Sequence, residues 1–518
     1  MYRTLLLLIF VWSNYAAIIF PGVDELRVHP YHESTIVVSN PQEVDSNYWN
    51  NQAQSRLADQ LARLQNTGRR SKKRNSFLGD GMSIATLSAA RAHLGHRNGK
   101  TGEEIELSFE KFPYVGLSKT YCVDAQVADS ACSATAYLGG VKGNTGTIGV
   151  SAAVTTNDCD AMINEANQVL SIAHYAQKNN KRTGVITTTR ITHASPAGVY
   201  AHVANRWWES DSVVSLFGKD STKCNDIAHQ LVHGETGKNL NVIFGGGRTN
   251  FMPFFEFDED NYMGIRFDGR NLIKEWEDSK KGTKYKYVSN REDFVEISND
   301  TEYVLGLFGG SHMDYNLERD ITKQPSLQEM TEKAIELLTN QDEGFFLFVE
   351  GGRIDTAHHD SKARKALDET IEFHKAVESA VRMTNEKNTL IVVTSDHSHT
   401  MSFGGYADRG ADVLGVAGHG LDFLPYTTLN YANGPGYRAE VNGRRHDVSQ
   451  DNLTDFEYKY PAYAPLFSET HGGDDVAIFA RGPWAHLFSG VLEQNFISHA
   501  INFASCGGVG ATVCDTLN

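Results

Sequence analysis

Beyond its N-terminal leader the chain has no apolar stretch near the roughly 18 residues that a membrane-spanning helix needs. It has no internal repeat and no low-complexity run, so nothing in the pattern forces its 518 residues into separate domains. An excess of positive charge is also missing. Lys and Arg total 48 against 64 Asp and Glu, a formal net charge of −16, which argues against nucleic acid as a partner. Phosphate chemistry on such a chain must rely on local cations, either metals or a placed arginine. What is present is ordinary globular composition, 40% hydrophobic and 22% charged, with ample material for a core.

The first residues read as a secretory signal over residues 1–17: Tyr2-Arg3-Thr4, an apolar core from Leu5 to Trp12, then small residues at Ala16-Ala17. The remaining residues, 18–518, form one domain. The six cysteines suit an oxidising compartment. They fall into local sets, Cys122 with Cys132, Cys159 with Cys224 and Cys506 with Cys514; that pairing is the expected one of 15 possible connectivities. Asn299 and Asn452 open glycosylation sequons in a secreted chain.

The chemistry gathers where hydrophobic runs end. Leu390-Ile-Val-Val-Thr-Ser leads into Asp396, His397 and His399. Phe345-Phe-Leu-Phe-Val runs into Glu350, then Gly-Gly-Arg353-Ile-Asp355, His358 and His359. Phe77-Leu78-Gly79 reaches Asp80, and Thr183–Thr189 reaches His193 and Ser195, with Arg206 soon after. Glu469-Thr-His471-Gly-Gly-Asp precedes the strand Val476–Ala480. Buried parallel strands read as such apolar runs, and ligands in open α/β sheets sit beyond their carboxyl ends. Asp355 and His359 share a face at i, i+4 if that turn is helical. Asp129-Ser130, followed by small residues, reads as a tight turn into a helix whose N-terminus welcomes an anion. Strands alternate with helices from 77 to 400, which predicts an α/β fold with a mostly parallel central sheet sandwiched by helices. The spacing also predicts a helix over 45–64. Residues 250–330 read as charged, irregular and peripheral, and 402–468, rich in Gly, Pro and Tyr, as an inserted surface lobe. The strand before Asp80 reads as short, because Arg74-Asn75-Ser76 is polar.

Asp80, Ser195, Glu350, Asp355, His359, Asp396, His397 and His471 are therefore the candidate metal ligands. Mixed imidazole and carboxylate sets suit zinc, and the all-oxygen set Asp80, Ser195 and Glu350 suits magnesium. Two nearby metals, a serine and an arginine fork suit phosphate-ester hydrolysis.

From Trp49 to Cys514 the chain resembles the animal alkaline phosphatases, and its short C-terminus and Cys122/Cys132 look like the insect branch. The motifs that carry the resemblance are Phe77–Met82, Val127–Ala131, Thr187–Gly198, Phe345–Asp355, Val393–His399 and Glu469–Gly473. The resemblance implies phosphomonoester hydrolysis at alkaline pH through a phosphoserine on Ser130, with Arg206 and Asp129 at the substrate phosphate. It implies one zinc on Asp355, His359 and His471, a second on Asp80, Asp396 and His397, and one magnesium on Asp80, Ser195 and Glu350 with His193 behind it. It further implies a homodimer, in which 45–64 is an N-terminal arm and 402–468 a crown-like lobe. Where vertebrate relatives carry a histidine this chain has Thr356, and it has Gly309 and Gln324 where they carry calcium carboxylates, so no calcium is expected there. The chain ends four residues after Cys514 without the apolar tail that a lipid anchor requires, so a soluble secreted enzyme is expected. The alternative is a catalytically impaired relative acting as a binding protein, motivated by the weak strand before Asp80.

Overall fold

Backbone hydrogen bonds between strands do not depend on what the side chains are, and this decides the centre of the molecule. The computed structural model describes residues 41–63, 72–340 and 343–508. Its main sheet has ten strands: β1 Lys73–Gly79, β2 Tyr114–Lys119, β3 Arg182–Arg190, β4 Val242–Gly246, β5 Tyr285–Val288, β6 Tyr303–Leu307, β7 Phe345–Gly351, β8 Thr389–Thr394, β9 Val476–Arg481 and β10 Gly490–Glu493. Their spatial order is β10-β2-β9-β8-β1-β7-β3-β4-β6-β5. Only β9 runs antiparallel to its neighbours; every other pairing is parallel.

β1 is a full seven-residue strand, not the short one its sequence suggests. It pairs along its length with β7 on one side and β8 on the other, Arg74 facing Phe346 and Leu390. Two long apolar partners set its register, and Arg74, Asn75 and Ser76 are carried into the interior with it. β7 and β8 are buried at every position, as the continuous apolar runs required.

Helices cover both faces. Phe77, Ile186, Phe345, Leu347 and Val393 belong to one packed cluster, which the helices Leu327–Leu338 and Ala363–Met383 complete; Leu78, Val185, Phe346 and Val392 belong to another, which takes in Ser130–Gly139 and Phe496–Ala504. Alternation along each strand sends neighbouring side chains to opposite faces. The segment 250–330 is not merely irregular: it supplies β5 and β6, although at the sheet's edge. The 402–468 segment holds small sheets separate from the main one, Met401–Phe403 with Leu429–Gly434 and Ala462–Pro465, and Val416–His419 with Pro425–Thr427. A helix spans Ser46–Arg63, with Trp49, Ala53 and Leu57 buried.

Cys122–Cys132 and Cys159–Cys224 are bonded as expected. Cys506 is also disulfide-bonded, while Cys514, its expected partner, lies outside the described residues, as does the signal segment. Asn299 and Asn452 are exposed. No helix among the described residues is long and apolar enough to cross a membrane.

Of the three acids that the helix Ala363–Met383 buries, Asp368, Glu369 and Glu372, the fold tolerates Glu369 at a cost. Glu369 is 3% exposed and accepts the Asn316 backbone N–H at 2.6 Å. Burial pushes its carboxyl up to about 8, against the pull of that N–H and of Arg353. A carboxyl whose folded pKa exceeds its unfolded value takes stability away as pH rises from the unfolded pKa to about 8. Glu369→Gln keeps the acceptor and removes the charge. Its melting temperature is expected to exceed that of wild type by a margin that widens between pH 5 and pH 9; a constant margin in calorimetry refutes this.

Candidate functional site

Four adjacent parallel strands, β8-β1-β7-β3, deliver the chemistry at their carboxyl ends. Asp80 follows β1 directly, Glu350 is the penultimate residue of β7, and Asp396 and His397 follow β8. After β7 the chain enters the helix Arg353–His359, so the i, i+4 pair Asp355 and His359 does lie on one face, 3.2 Å apart. After β3 comes the short helix Ala194–Ala197, with His193 at its N-cap and Ser195 inside it. His471 arrives from far along the chain on a two-residue strand that pairs with Ser398-His399, opposite His399 itself.

These placements bring three ligand clusters together, each with its candidate atoms within 4.8 Å of one another: Asp355, His359, His399 and His471; Asp80, Asp355 and His397; Asp80, His193 and Glu350. Asp355 links the first two and Asp80 the last two. Asp396 sits beside the second, its carboxylate 3.2 Å from His397 Nε2, and it also accepts the Gly81 N–H. All but His471 are buried; His471 is partly exposed, so the group faces outward there.

The donor set is chemically unfinished. Both oxygens of Asp80, one oxygen each of Glu350 and Asp355, and the Ser195 hydroxyl are buried with no hydrogen-bond partner among the described residues. Native proteins rarely leave such groups orphaned. Burial, reinforced by the charges of Asp396, Asp355 and Glu350, pushes Asp80 well above the usual carboxylate range. Burial takes Asp396 up to about 7, with help from Asp355 and Glu350. Burial also raises Asp355, but His359, His399 and His471 outweigh it and hold that carboxyl well below its ordinary value. Burial and neighbouring imidazoles, His471 first, push His397 down, leaving it neutral with a lone pair to offer. Divalent cations fit this set: they would satisfy the orphaned oxygens and reverse the repulsion among the acids.

Ser130 opens the helix Ser130–Gly139, and Asp129 caps it through the Cys132 N–H. The Ser130 hydroxyl lies 3.1 Å from His397 Nε2, inside the same group. Arg206 is 3% exposed; it donates from Nη1 to Asp129 Oδ2 at 2.9 Å and from Nη2 to His193 Nε2 at 3.2 Å. Asp129 also accepts the Gly146 N–H. The two guanidinium contacts fix its plane.

Sequence reasoning passed over several residues here. His399 binds Asp355 at 2.7 Å through Nε2 and Glu469 at 2.5 Å through Nδ1. Burial pulls His399 down, but the two acids outweigh it and hold it at about 10, so it acts as a fixed cation against Asp355. The His-Ser-His spacing was the available signal, since alternate residues of a strand share a face. Thr187 and Thr189 both donate to Glu350 Oε2, and Ser133 approaches Asp396 at 3.5 Å. His358, next to His359 in sequence, points elsewhere, bonding Thr86 and Tyr431. Thr356 turns back on its own helix, its hydroxyl donating to Arg353 C=O at 3.1 Å.

A family model described as alkaline phosphatase matches residues 74–507. The chain is 48% identical over 503 residues to the membrane-bound alkaline phosphatase of Bombyx mori, covering 95% of this chain and 91% of that one. It is 45% identical over 477 residues to the alkaline phosphatase of Gadus morhua, covering 90% and 98%, and 45% identical over 484 residues to the tissue-nonspecific isozyme of Gallus gallus, covering 92% of each. Among solved structures, the Thermus thermophilus alkaline phosphatase aligns with a TM-score of 0.60 at 21% identity, over 84% of this chain and 92% of that one. The enzyme from the Antarctic bacterium TAB5 aligns at 0.59 and 21%, over 85% and 100%. At such identity these two speak for the fold alone.

Proposed function

The chain belongs to the alkaline phosphatase family, and from that premise we propose that it hydrolyses phosphate monoesters through a phosphoserine on Ser130, with two zinc ions and one magnesium ion as cofactors. One observation carries the reading: the Ser130 hydroxyl and the Asp129–Arg206 pair adjoin the rim of strand ends where buried, orphaned candidate ligand atoms converge. Asp355, His359 and His471 would hold one zinc, and Asp80, Asp396 and His397 the other. Asp80, Ser195 and Glu350 would hold magnesium, with His193 behind it. His399, engaged on both ring nitrogens, aims Asp355 instead of serving as a ligand. When bound, the cations supply Lewis acidity that lowers a hydroxyl's pKa and neutralises charge on the transferring phosphoryl group.

The protein's own groups do the rest. Arg206 takes two non-bridging phosphate oxygens with its fork, and Asp129 and His193 keep that fork from swinging. The amide end of the helix Ser130–Gly139 favours negative charge at the serine. Ser130 gives up its hydroxyl proton to solvent, its oxygen forms the new P–O bond while the ester P–O bond breaks, and the alcohol leaves, taking a proton from solvent in return. Water then attacks the phosphoserine, freeing phosphate and restoring the hydroxyl. Each step builds charge on equatorial oxygens, where electrostatic stabilisation counts most.

The homodimer, with the helix Ser46–Arg63 as its arm and 402–468 as its crown, belongs to the same proposal. So does secretion, which the disulfides support. The strand that motivated an impaired relative is complete, so that alternative loses its ground. Purified protein supplied with zinc and magnesium is expected to release phosphate from a simple aryl phosphate at alkaline pH. A chelator is expected to stop the release, and the two metals together to restore it. Absence of release from fully loaded protein ends the proposal.

A further inference from the structure

Glu209 lies three residues beyond the phosphate-binding arginine and is 5% exposed. Its carboxylate collects donors from two other segments. Arg190, the last residue of β3, reaches it from Nε at 2.8 Å and from Nη2 at 2.7 Å, a two-pronged pair in which both partners are buried. The Thr192 hydroxyl donates to Oε2 at 2.5 Å. Asn250, on the turn after β4, donates to the same oxygen at 3.1 Å and to the Thr192 hydroxyl at 2.9 Å. Between Arg190 and Ser195 lies His193, which accepts from Arg206. The segment that carries His193 and Ser195 and the turn that carries Arg206 are thus tied twice, once at Glu209 and once at the site itself.

We infer that Glu209 is a positioning residue for Arg206: its carboxylate clamps Arg190 and Thr192, fixing His193 at the distance from which it orients the guanidinium toward phosphate. The inference rests on the reading of Arg206 as the phosphate ligand. A buried arginine–carboxylate pair is a poor source of stability in itself, because desolvation offsets much of the attraction. Its value here is geometric. A two-pronged pair fixes both distance and plane, and misplacing a binding group by about 1 Å can cost on the order of 100-fold.

The experiment is a double-mutant cycle read as the inhibition constant for inorganic phosphate on metal-loaded enzyme, with metal content and melting temperature measured alongside. Glu209→Gln keeps the shape of the side chain and removes its charge; Thr192→Val removes one donor and keeps its volume. Glu209→Gln is expected to raise the phosphate inhibition constant about tenfold and Thr192→Val about threefold, with metal content unchanged. Arg206→Ala raises it at least as much as Glu209→Gln does. With Arg206→Ala already in place, adding Glu209→Gln changes it by less than about twofold, because the clamp then has nothing to aim. A merely structural role predicts multiplying effects in the double variant, and that result overturns the inference. So does an unchanged constant in the single variants. If Glu209→Gln does not fold, the same cycle with Thr192→Val decides by the same criterion. If Arg206→Ala itself leaves the constant unchanged, the reading of Arg206 falls and takes this inference with it; a rise in Arg206→Ala with multiplying effects removes only the clamp.

Discussion

Ser130→Ala is expected to lower kcat/KM for an aryl phosphate by roughly four to six orders of magnitude, the range seen when a nucleophile that works with its neighbours as a unit is removed. The reason is local. Ser130 is fully buried, opens a helix and lies within 3.1 Å of His397 Nε2, and alanine leaves no hydroxyl at that point. Alanine at the first helical position is well tolerated, and Asp129 still caps the helix through the Cys132 N–H. Folding and metal content are therefore expected to match wild type. Steady-state phosphate release measures the loss, and mass spectrometry of acid-quenched turnover locates the phosphoryl group. Wild type should carry it on the peptide containing Ser130, and the variant on none. A variant that keeps a tenth of the activity sinks the proposal that Ser130 is the nucleophile.

The gathering of the candidate residues at one rim was legible in the sequence, because parallel strands expose their carboxyl ends together and each apolar run announced its own end. Asp80, Glu350 and Asp396 follow from that rule alone, and Asp355 with His359 from helical spacing. β1 was legible only in part. Phe77-Leu78-Gly79 reads as a short strand, but Arg74-Asn75-Ser76 is polar and hides the first half, while continuous pairing with β7 and β8 on both sides makes all seven residues a central strand. Tertiary pairing overrode propensity, as it commonly does for strands. β2 and β10 were missed for a related reason. They lie at the open side of the sheet, where β2 alternates exposed and buried residues over only six positions. His399 and Glu469 escaped notice because their meeting joins chain positions 70 residues apart, which no local pattern encodes. The Glu209 clamp is hidden in the same way, since Arg190 and Thr192 at the end of β3 and Asn250 after β4 meet one carboxylate from two separate segments.

Asp80→Asn is expected to have opposite effects on stability with and without metal. Asp80 belongs to two of the three ligand clusters, both of its oxygens are orphaned, and Asp396, Asp355 and Glu350 press on it with like charge. In metal-free protein that repulsion has no counterweight, so replacing the acid with a neutral isostere relieves it and raises the melting temperature. In the presence of zinc and magnesium the order reverses. Wild type gains the binding free energy of each ion, about 2.7 kcal/mol for a site at a hundred times its Kd, whereas the asparagine variant loses a ligand shared between sites and with it most of that gain. Activity should fall by at least about a thousandfold, since both the cations and the arrangement they impose around Ser130 are disturbed. Calorimetry with and without chelator, paired with metal analysis of the same samples, tests both signs. Wild-type metal content and a wild-type thermal shift in Asp80→Asn would show that Asp80 holds no cation, whatever happens to turnover.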